Sequence, residues 1–394
     1  MAKPKLALIP AAQGSKFYSV LPSSGVGDFD FTRSGSATRI NSQGLIETVA
    51  NGVSRLNYPL IDGKVVGCPS HLLEPQRTNL FPYSEDFENS DWVKNGGTTI
   101  TNNYAISPDG TLNASRYLGI GTSGLGDKFT LSATSYTISF YVKSNTSENY
   151  FCRLIGDSVN VSSNLPITTE WTRLSYTFTG SGLSNKTNGL FRDSSNNDMD
   201  ILIYGAQLEE GSFPTSYIPT NGSAVTRSAE TANGSGDAST FNDSEGVLMA
   251  EMSALANDGT NRQISISNGG TSQRIYLGFR TSTNEFILSS RDSSYLIANI
   301  VDVTNFNKYA FQYKSGSFKA FINGFDYDLT SDGGLLPTGL NTLNFDDGNG
   351  GADFYGKTKQ IQYFDSALND TELETLTSWV SFSDMANGQL YTIQ

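Results

Sequence analysis

The stretch KYAFQYKSGSFKAFINGFDYD (Lys308–Asp328) alternates twice. Tyr309, Phe311 and Tyr313 occupy every second position, KSGS follows, and Phe318, Ala320 and Ile322 resume the pattern. A period of two places successive side chains on opposite faces of a strand, so the stretch predicts a hairpin with one apolar face. Working outward, the same signal recurs. YTISFYVKS (Tyr136–Ser144) aligns Tyr136, Ile138, Phe140 and Val142; TRLSYTFTG aligns Leu174, Tyr176 and Phe178; DILIYGAQLEEG offers Ile201, Ile203 and Gly205. GVLMAEMSAL sets Val247, Met249 and Glu251 against Leu248, Ala250 and Met252, and RQISIS, RIYLGFR, EFILSS and TKQIQYFD complete a second strand set. One stretch, SALNDTELETLTSWV, changes to helical spacing, with Leu368, Leu373, Leu376 and Trp379 on one side. Asn369 or Asp370 is its expected N-cap, and Glu372 and Glu374 favour its first turn. No period of 20–50 residues occurs, which excludes solenoids and propellers. The expected class is all-β, with two β-sandwich (jelly-roll) domains after an irregular N-terminal segment.

Composition agrees. The 394 residues include 39 Asp+Glu, 26 Lys+Arg and one His, a net charge of −13 that opposes nucleic-acid binding as the main task. Charged residues make up only 16%, while 39 Gly, 23 Phe and 19 Tyr fit short strands joined by polar turns rather than a disordered chain or a coiled coil. No apolar run approaches the ~18 residues of a membrane span, so no membrane insertion is expected. The N-terminal apolar stretch is short and interrupted by Pro4 and Pro10, a poor signal peptide. The expectation is a soluble protein assembled in a reducing compartment and released by lysis. Cys68 and Cys152 lie far apart and match no metal spacing.

Four segments follow. Residues 1–75 carry Gly, Asn or Ser every few positions around small apolar beads (Ile40, Leu45, Ile46, Val49), so they are expected to pack on a neighbour as an assembly or attachment segment. Residues 76–222 read as the first sandwich, 223–244 as a linker, and 245–394 as the second sandwich with its short C-terminal helix.

Three sets of residues resemble known families. FDFTRSGSATRINSQGLIETVANGVSRLNYP, followed by HLLEPQRTNLFPYSEDFENSDWVK, resembles a motif of bacteriophage and prophage virion proteins. Its carriers are Phe31–Arg33, Ala37–Arg39, Asn41, Gly44–Glu47, Leu72–Gln76, Thr78–Leu80, Tyr83–Phe87 and Trp92. The region from Trp92 to the closing GAQLEEGSFPTSYIPT segment (Gly205–Thr220) resembles the carbohydrate-binding-module-like jelly rolls that follow this motif. The last domain is similar to concanavalin A-like (laminin G-like) lectin domains through the FKAFING strand (Phe318–Gly324), the last strand and the short LNDTEL helix (Leu368–Leu373). The resemblance implies a non-enzymatic virion component, a tail or head fibre or a capsid decoration, whose sandwiches bind host or surface glycans. The implied partners are other virion proteins and cell-surface glycans, and fibre-type analogues point to a homo-oligomer, often a trimer. A decoration protein without ligand and a virion-borne glycosidase stay open as alternatives.

The chemistry is thin. A serine-type triad needs a histidine base, and His71 stands alone in CPSHLLEPQ, where a hydrogen-bonded or exposed loop role competes. Zinc lacks ligands. A glycosidase needs only two carboxylates, but no Glu-x-Asp-x-x-Glu strand occurs, and adjacent Glu209 and Glu210 point to opposite faces. FDDGNGGADF offers Asp346, Asp347, Asn349 and Asp353 as oxygen ligands for calcium, with RDSSNNDMD (Arg192–Asp200) as a second candidate; a solvated acidic turn is the commoner explanation of both. Sugar binding uses exposed aromatic faces, for which Trp92, Tyr104, Tyr117, Tyr276 and Tyr295 are candidates against the competing role of core packing.

Overall fold

A computed structural model describes residues 2–193, 198–280, 282, 284–291, 293–298, 301–329, 334–381 and 385. Every pairing between its strands is antiparallel, and one α-helix lies among the described residues. The protein is an all-β sandwich protein.

The first sandwich is built from contiguous chain. Its strands run in the order Asn160–Val161, Tyr150–Gly156, Lys186–Arg192, Leu112–Phe129, Met199–Glu210, Ser135–Ser144, Thr172–Thr179, with Val93–Ile106 and Leu165–Ile167 attached. The long strand Leu112–Phe129 joins two layers: Ser115–Gly119 pairs with Met199–Ile203, and Gly124–Phe129 pairs with Lys186–Phe191. It turns at Gly121, whose φ of 60° lies in the left-handed region that glycine tolerates. The inward residues expected from alternation, Tyr136, Ile138, Phe140, Val142, Leu174 and Phe178, meet Phe81, Phe87, Trp92 and Tyr117 in one core.

The second sandwich is not contiguous. Its larger sheet has the order Thr231–Asn233, Phe29–Thr32, Lys16–Leu21, Leu6–Gln13, Gly356–Phe364, Glu245–Ala254, Asn307–Lys314, Lys319–Ile322, Phe325–Asp328. Facing it lie Ser293–Ala298, Glu285–Ser290, Arg274–Phe279, Arg262–Ser267 and Thr342–Asn344. The N-terminal region therefore differs from the irregular segment expected. Leu6, Ala7 and Leu8 pair with Tyr363, Gln362 and Ile361, and Leu6, Leu8, Phe17, Phe29 and Phe31 are buried in the same core as Leu248, Phe311 and Ile361. Each such side chain contributes roughly 1.5–3 kcal/mol of burial. The stretch expected to be a linker is also tied in: Val225–Arg227 pairs with Arg77–Asn79, and Thr231–Asn233 with Phe29–Thr32.

The helix Asp370–Thr377 starts at Asn369, whose side chain accepts from the Glu372 amide while the Glu372 carboxylate accepts from the Asn369 amide. Leu373 and Leu376 cover Val247, Met249, Phe321 and Phe364 on the outer face of the larger sheet.

Between the sandwiches lies a buried ion cluster. Arg33 donates to Glu230 at 2.8 Å, Arg55 donates to both Glu230 and Glu74, and Arg227 lies 2.9 Å from Glu74. Ser216 gives Glu74 two further hydrogen bonds, at 2.7 and 2.6 Å, and the Glu74 amide donates to Glu230 at 2.9 Å. Burial alone would raise the Glu74 carboxyl, but Arg227 and Arg55 overcome it and hold the group well below the usual carboxylate range.

Candidate functional site

Of the aromatics expected to face ligand, four are core residues. Tyr117 is 0% exposed and Trp92 is 3% exposed, its indole donating to the Tyr83 carbonyl at 2.8 Å with Phe81 4.7 Å away. Tyr276 and Tyr295 are also buried, Tyr276 beneath the Arg274 guanidinium and Tyr295 against Phe311 and Phe318. An enclosed ring offers no face to a sugar, which corrects the expectation for these positions. Tyr104 is 44% exposed, with the Arg116 guanidinium 5.3 Å from its centroid.

The calcium loop is explained by its own backbone. Asp346 accepts from the Gly348 amide at 2.6 Å and from Asn233 at 3.0 Å, and Asp347 accepts from the Asn349 and Gly351 amides, both at 2.9 Å. Asp353 accepts from the Tyr355 hydroxyl at 2.9 Å. These are turn-forming bonds, and no group of three or more His, Cys, Asp or Glu among the described residues is placed to hold a metal. In the second acidic stretch, residues 194–197 lie outside the described residues. His71 is neither catalytic in setting nor exposed. It stacks on Phe17 at 3.9 Å with Nε2 3.1 Å from the Ile9 carbonyl, and burial lowers its pKa to about 4.

The structure instead brings together residues that the sequence pattern passed over. A chamber of about 210 Å³ lies where three parts of the chain meet. Arg39 and Ile40 come from the hairpin of Ala37–Ile40 and Ile46–Val49, Tyr141 and Arg173 from the first sandwich, and Lys357 from the larger sheet of the second. Ile40, Asn57, Tyr141, Arg173 and Lys357 also line an adjoining recess of about 550 Å³, which adds Tyr58, Trp171, Thr168 and Thr172. The two form one groove with Tyr58, Tyr141 and Trp171 half-buried along it.

Strand register sets this geometry. Tyr141 sits opposite Arg173 on one side and Tyr204 on the other. The Arg173 guanidinium lies 5.3 Å from the Tyr141 centroid and donates to the Thr215 carbonyl and, at 3.0 Å, to Ser139 Oγ. Thr38 donates to the Tyr217 carbonyl at 2.6 Å, which fixes the N-terminal hairpin against the first sandwich, and the Ile40 amide donates to Asn57 Oδ1 at 2.9 Å, which ties it to the strand Leu56–Asn57 of the larger sheet. Glu74 and Ser216, members of the buried ion cluster, form part of the chamber wall. Burial lowers the Lys357 pKa from its ordinary value, with the Glu74 charge opposing and the Lys359 charge adding to the shift.

A signal for these residues was present. In YTISFYVKS the inward positions are even-numbered, so Tyr141 places a large ring on the outward face; Trp171 and Arg173 fall outside the Leu174–Tyr176–Phe178 phase in the same way. Lys357 carries no local signal, because only the fold brings it to Tyr141.

No family model and no curated protein matches the chain. Among solved structures it is similar to the CBM40 module of the Ruminococcus gnavus IT-sialidase bound to α2,3-sialyllactose, at 17% identity over 36% of this chain and 86% of that one, with a TM-score of 0.31. It is also similar to the K499G mutant of NanB sialidase from Streptococcus pneumoniae (16% identity, 36% and 25% covered, TM-score 0.29). A third likeness is to the CBM22-1–GH10 modules of Clostridium thermocellum xylanase 10B (17% identity, 37% and 30% covered, TM-score 0.26). Overlaps this partial fix neither ligand nor activity for this chain.

Proposed function

We propose that the protein is a non-enzymatic glycan-binding component of a bacteriophage virion, exposed on the particle as a fibre or decoration and gripping surface saccharides in the groove at the three-way seam. The observation that carries the binding half is the groove itself: Tyr58, Tyr141 and Trp171 present ring surface beside Asn57, Thr168, Thr172 and Arg173. Stacking on a pyranose face, with amide, hydroxyl and guanidinium groups around the rim, is the chemistry of sugar recognition. The virion half is supported by the resemblance of Phe29–Lys94 and Gly205–Thr220 to virion-protein motifs. A panel of capsular and cell-wall polysaccharides immobilised for retention tests the binding. Retention by the full chain that falls at least tenfold in Trp171→Ala supports it, and no retention on any polysaccharide ends it. Immunogold labelling of intact particles tests the location.

A second reading, a virion-borne glycosidase, draws on one observation. Asn113 Nδ2 donates to Glu85 Oε2 at 3.2 Å and to Asp109 Oδ2 at 3.0 Å, so one amide brings together two carboxylates, the groups that carboxylate-pair hydrolysis requires. Burial raises the Glu85 pKa, whereas hydrogen bonds from Ser107 and Thr111 overcome burial and lower that of Asp109. Release of reducing ends that disappears in Glu85→Gln would favour this reading over binding alone.

A further inference from the structure

We propose that the inner end of the groove is an anion subsite, so that the saccharide taken there carries a carboxylate or sulfate group seated between Lys357 and Arg173. This rests on the glycan-binding reading and specifies its ligand class.

Three observations converge. First, among the described residues the Lys357 ammonium has neither a hydrogen-bond nor an ion-pair partner, although it sits half-buried in the wall of both recesses. Neighbouring Lys359, by contrast, lies 3.6 Å from Glu251. A half-buried cation without a counter-ion costs free energy that an arriving anion returns. Second, Arg173 has no carboxylate partner: its hydrogen bonds go to a carbonyl and a hydroxyl, and its Nε–H is buried without an acceptor. Third, the one carboxylate in the inner chamber, Glu74, is already neutralised. It accepts from Arg55 at 2.8 Å and lies 2.9 Å from Arg227, within a buried cluster of three guanidinium groups (Arg33, Arg55, Arg227) and two carboxylates (Glu74, Glu230). The wall behind the chamber therefore carries excess positive charge, inside a protein whose net charge is −13.

The remaining charged lining residues set polarity along the groove. Arg39 faces the inner chamber and pairs with Glu47 at 2.9 Å, while Asp62 and Glu170 are exposed and line only the outer recess. An anionic group is drawn inward, past a mildly acidic mouth, to Lys357 and Arg173. Neutral sugar rings then extend outward over Tyr141 and Trp171. Lys supplies a point charge, and both Arg173 Nη atoms are already engaged, so the subsite selects charge rather than carboxylate shape.

The test is isothermal titration of the full chain with hexagalacturonate, its fully methyl-esterified form, a sulfated galactan hexamer and cellohexaose, repeated with Lys357→Met. Binding of at least one charged hexamer tenfold or more tighter than both neutral ones, weakening with added salt and levelled by Lys357→Met, establishes the subsite. The galacturonate and sulfated arms identify which anion is preferred. Neutral hexamers bound as tightly as charged ones overturn the inference while leaving glycan binding intact, as does a charge preference that survives in a folded Lys357→Met. Failure of all four hexamers overturns the inference, and the polysaccharide panel decides whether glycan binding falls with it. Circular dichroism melting of Lys357→Met guards the comparison; loss of an unpaired cation leaves the fold intact, and Lys357→Gln serves as a second neutral variant.

Discussion

The two sandwiches are built from the chain in opposite ways. The first draws its core from residues between Phe81 and Leu208, nearly in sequence order. The second gathers Leu6, Phe17 and Phe31 from the start of the chain, Leu73 and Ala232 from its middle, and Tyr309, Phe311 and Ile361 from its end. A locally closed core tolerates removal of what precedes it. A core closed by strands hundreds of residues apart does not, and the ion cluster of Arg33, Arg55, Glu74, Arg227 and Glu230 marks where the two construction modes are joined.

The largest effect that can break this contrast is truncation. Removing residues 1–75 strips Leu6–Gln13 from its partner Gly356–Phe364, takes six large side chains (Leu6, Leu8, Phe17, Phe29, Phe31 and Leu73) from the second core and leaves Glu230 without either guanidinium that donates to it. The expected outcome is loss of a cooperative melting transition for the second sandwich, with that of the first retained, read by calorimetry. Two intact transitions would show that residues 245–381 close their own core and would overturn the contrast.

At the joint itself, Glu230→Gln leaves Arg33, Arg55 and Arg227 buried with one carboxylate between them. Removing one partner of a buried ion cluster costs about 3–5 kcal/mol, because the remaining charges stay desolvated. Denaturant unfolding checks this. A loss under 1 kcal/mol would mean the cluster is hydrated and the joint is loose.

The difference between the sandwiches also explains what was legible in the sequence. Alternation in Tyr136–Ser144 and Thr172–Thr179 announced strands and their inward faces, because partner and strand lie close in the chain. The first 75 residues announced nothing comparable. Phe29–Thr32 is four residues long and Leu56–Asn57 two, and strands so short carry too few alternations to stand out from turns. Phe29–Thr32 lies between Lys16–Leu21 and Thr231–Asn233, the latter some two hundred residues away, and Leu56–Asn57 pairs with Ser70–Leu73. The site was hidden for a related reason. Trp92 and Tyr117 are large rings on strands or turns, indistinguishable by type from surface rings, whereas Tyr141 and Trp171 betrayed themselves only by falling on the wrong phase. Arg33 and Glu74 lie in the virion-type motif and Glu230 in the stretch expected as a linker, yet all three are buried and ion-paired.

Acid sharpens the contrast, since His71 belongs to the second sandwich alone. The folded protein keeps the imidazole neutral down to about pH 4 because it is buried. In the unfolded chain it protonates near its ordinary value of about 6.5. The stability this provides is full above pH 6.5 and is lost progressively as pH falls, with up to about 3 kcal/mol gone by pH 4. In His71→Phe, which keeps a ring against Phe17, the second sandwich is expected to lose correspondingly less stability between pH 7 and 4.5. The first sandwich should show no difference between the two proteins. Equal acid slopes in both proteins would mean His71 is hydrated.

The smallest expected effect concerns the first sandwich, where its regularity is interrupted on purpose of geometry. Alternation through Asp200–Gly211 would place Ile201, Ile203 and Gly205 on one face, yet the core receives Ile201, Ile203, Ala206 and Leu208. The phase slips by one at Gly205. Tyr141 pairs with Tyr204 and Ser139 with Gln207, so two residues, Gly205 and Ala206, stand opposite the single Phe140. Gly205 has φ 60, and a Cβ there would lie 3.1 Å from Tyr141 Cδ2 and 3.3 Å from Tyr217 Cε2. The bulge thus sets Tyr204 beside Tyr217 against Ile46 of the N-terminal hairpin, with the ring of Tyr141 packed on them at the groove. Gly205→Ala carries the left-handed backbone penalty of about 1–2 kcal/mol and pushes on two rings that are held by their neighbours. A melting shift of that size, with groove binding weakened more than the shift alone accounts for, is the expected result. Binding unchanged in a destabilised Gly205→Ala would separate the bulge from the groove, and would leave Tyr141 positioned by its pairing with Arg173 alone.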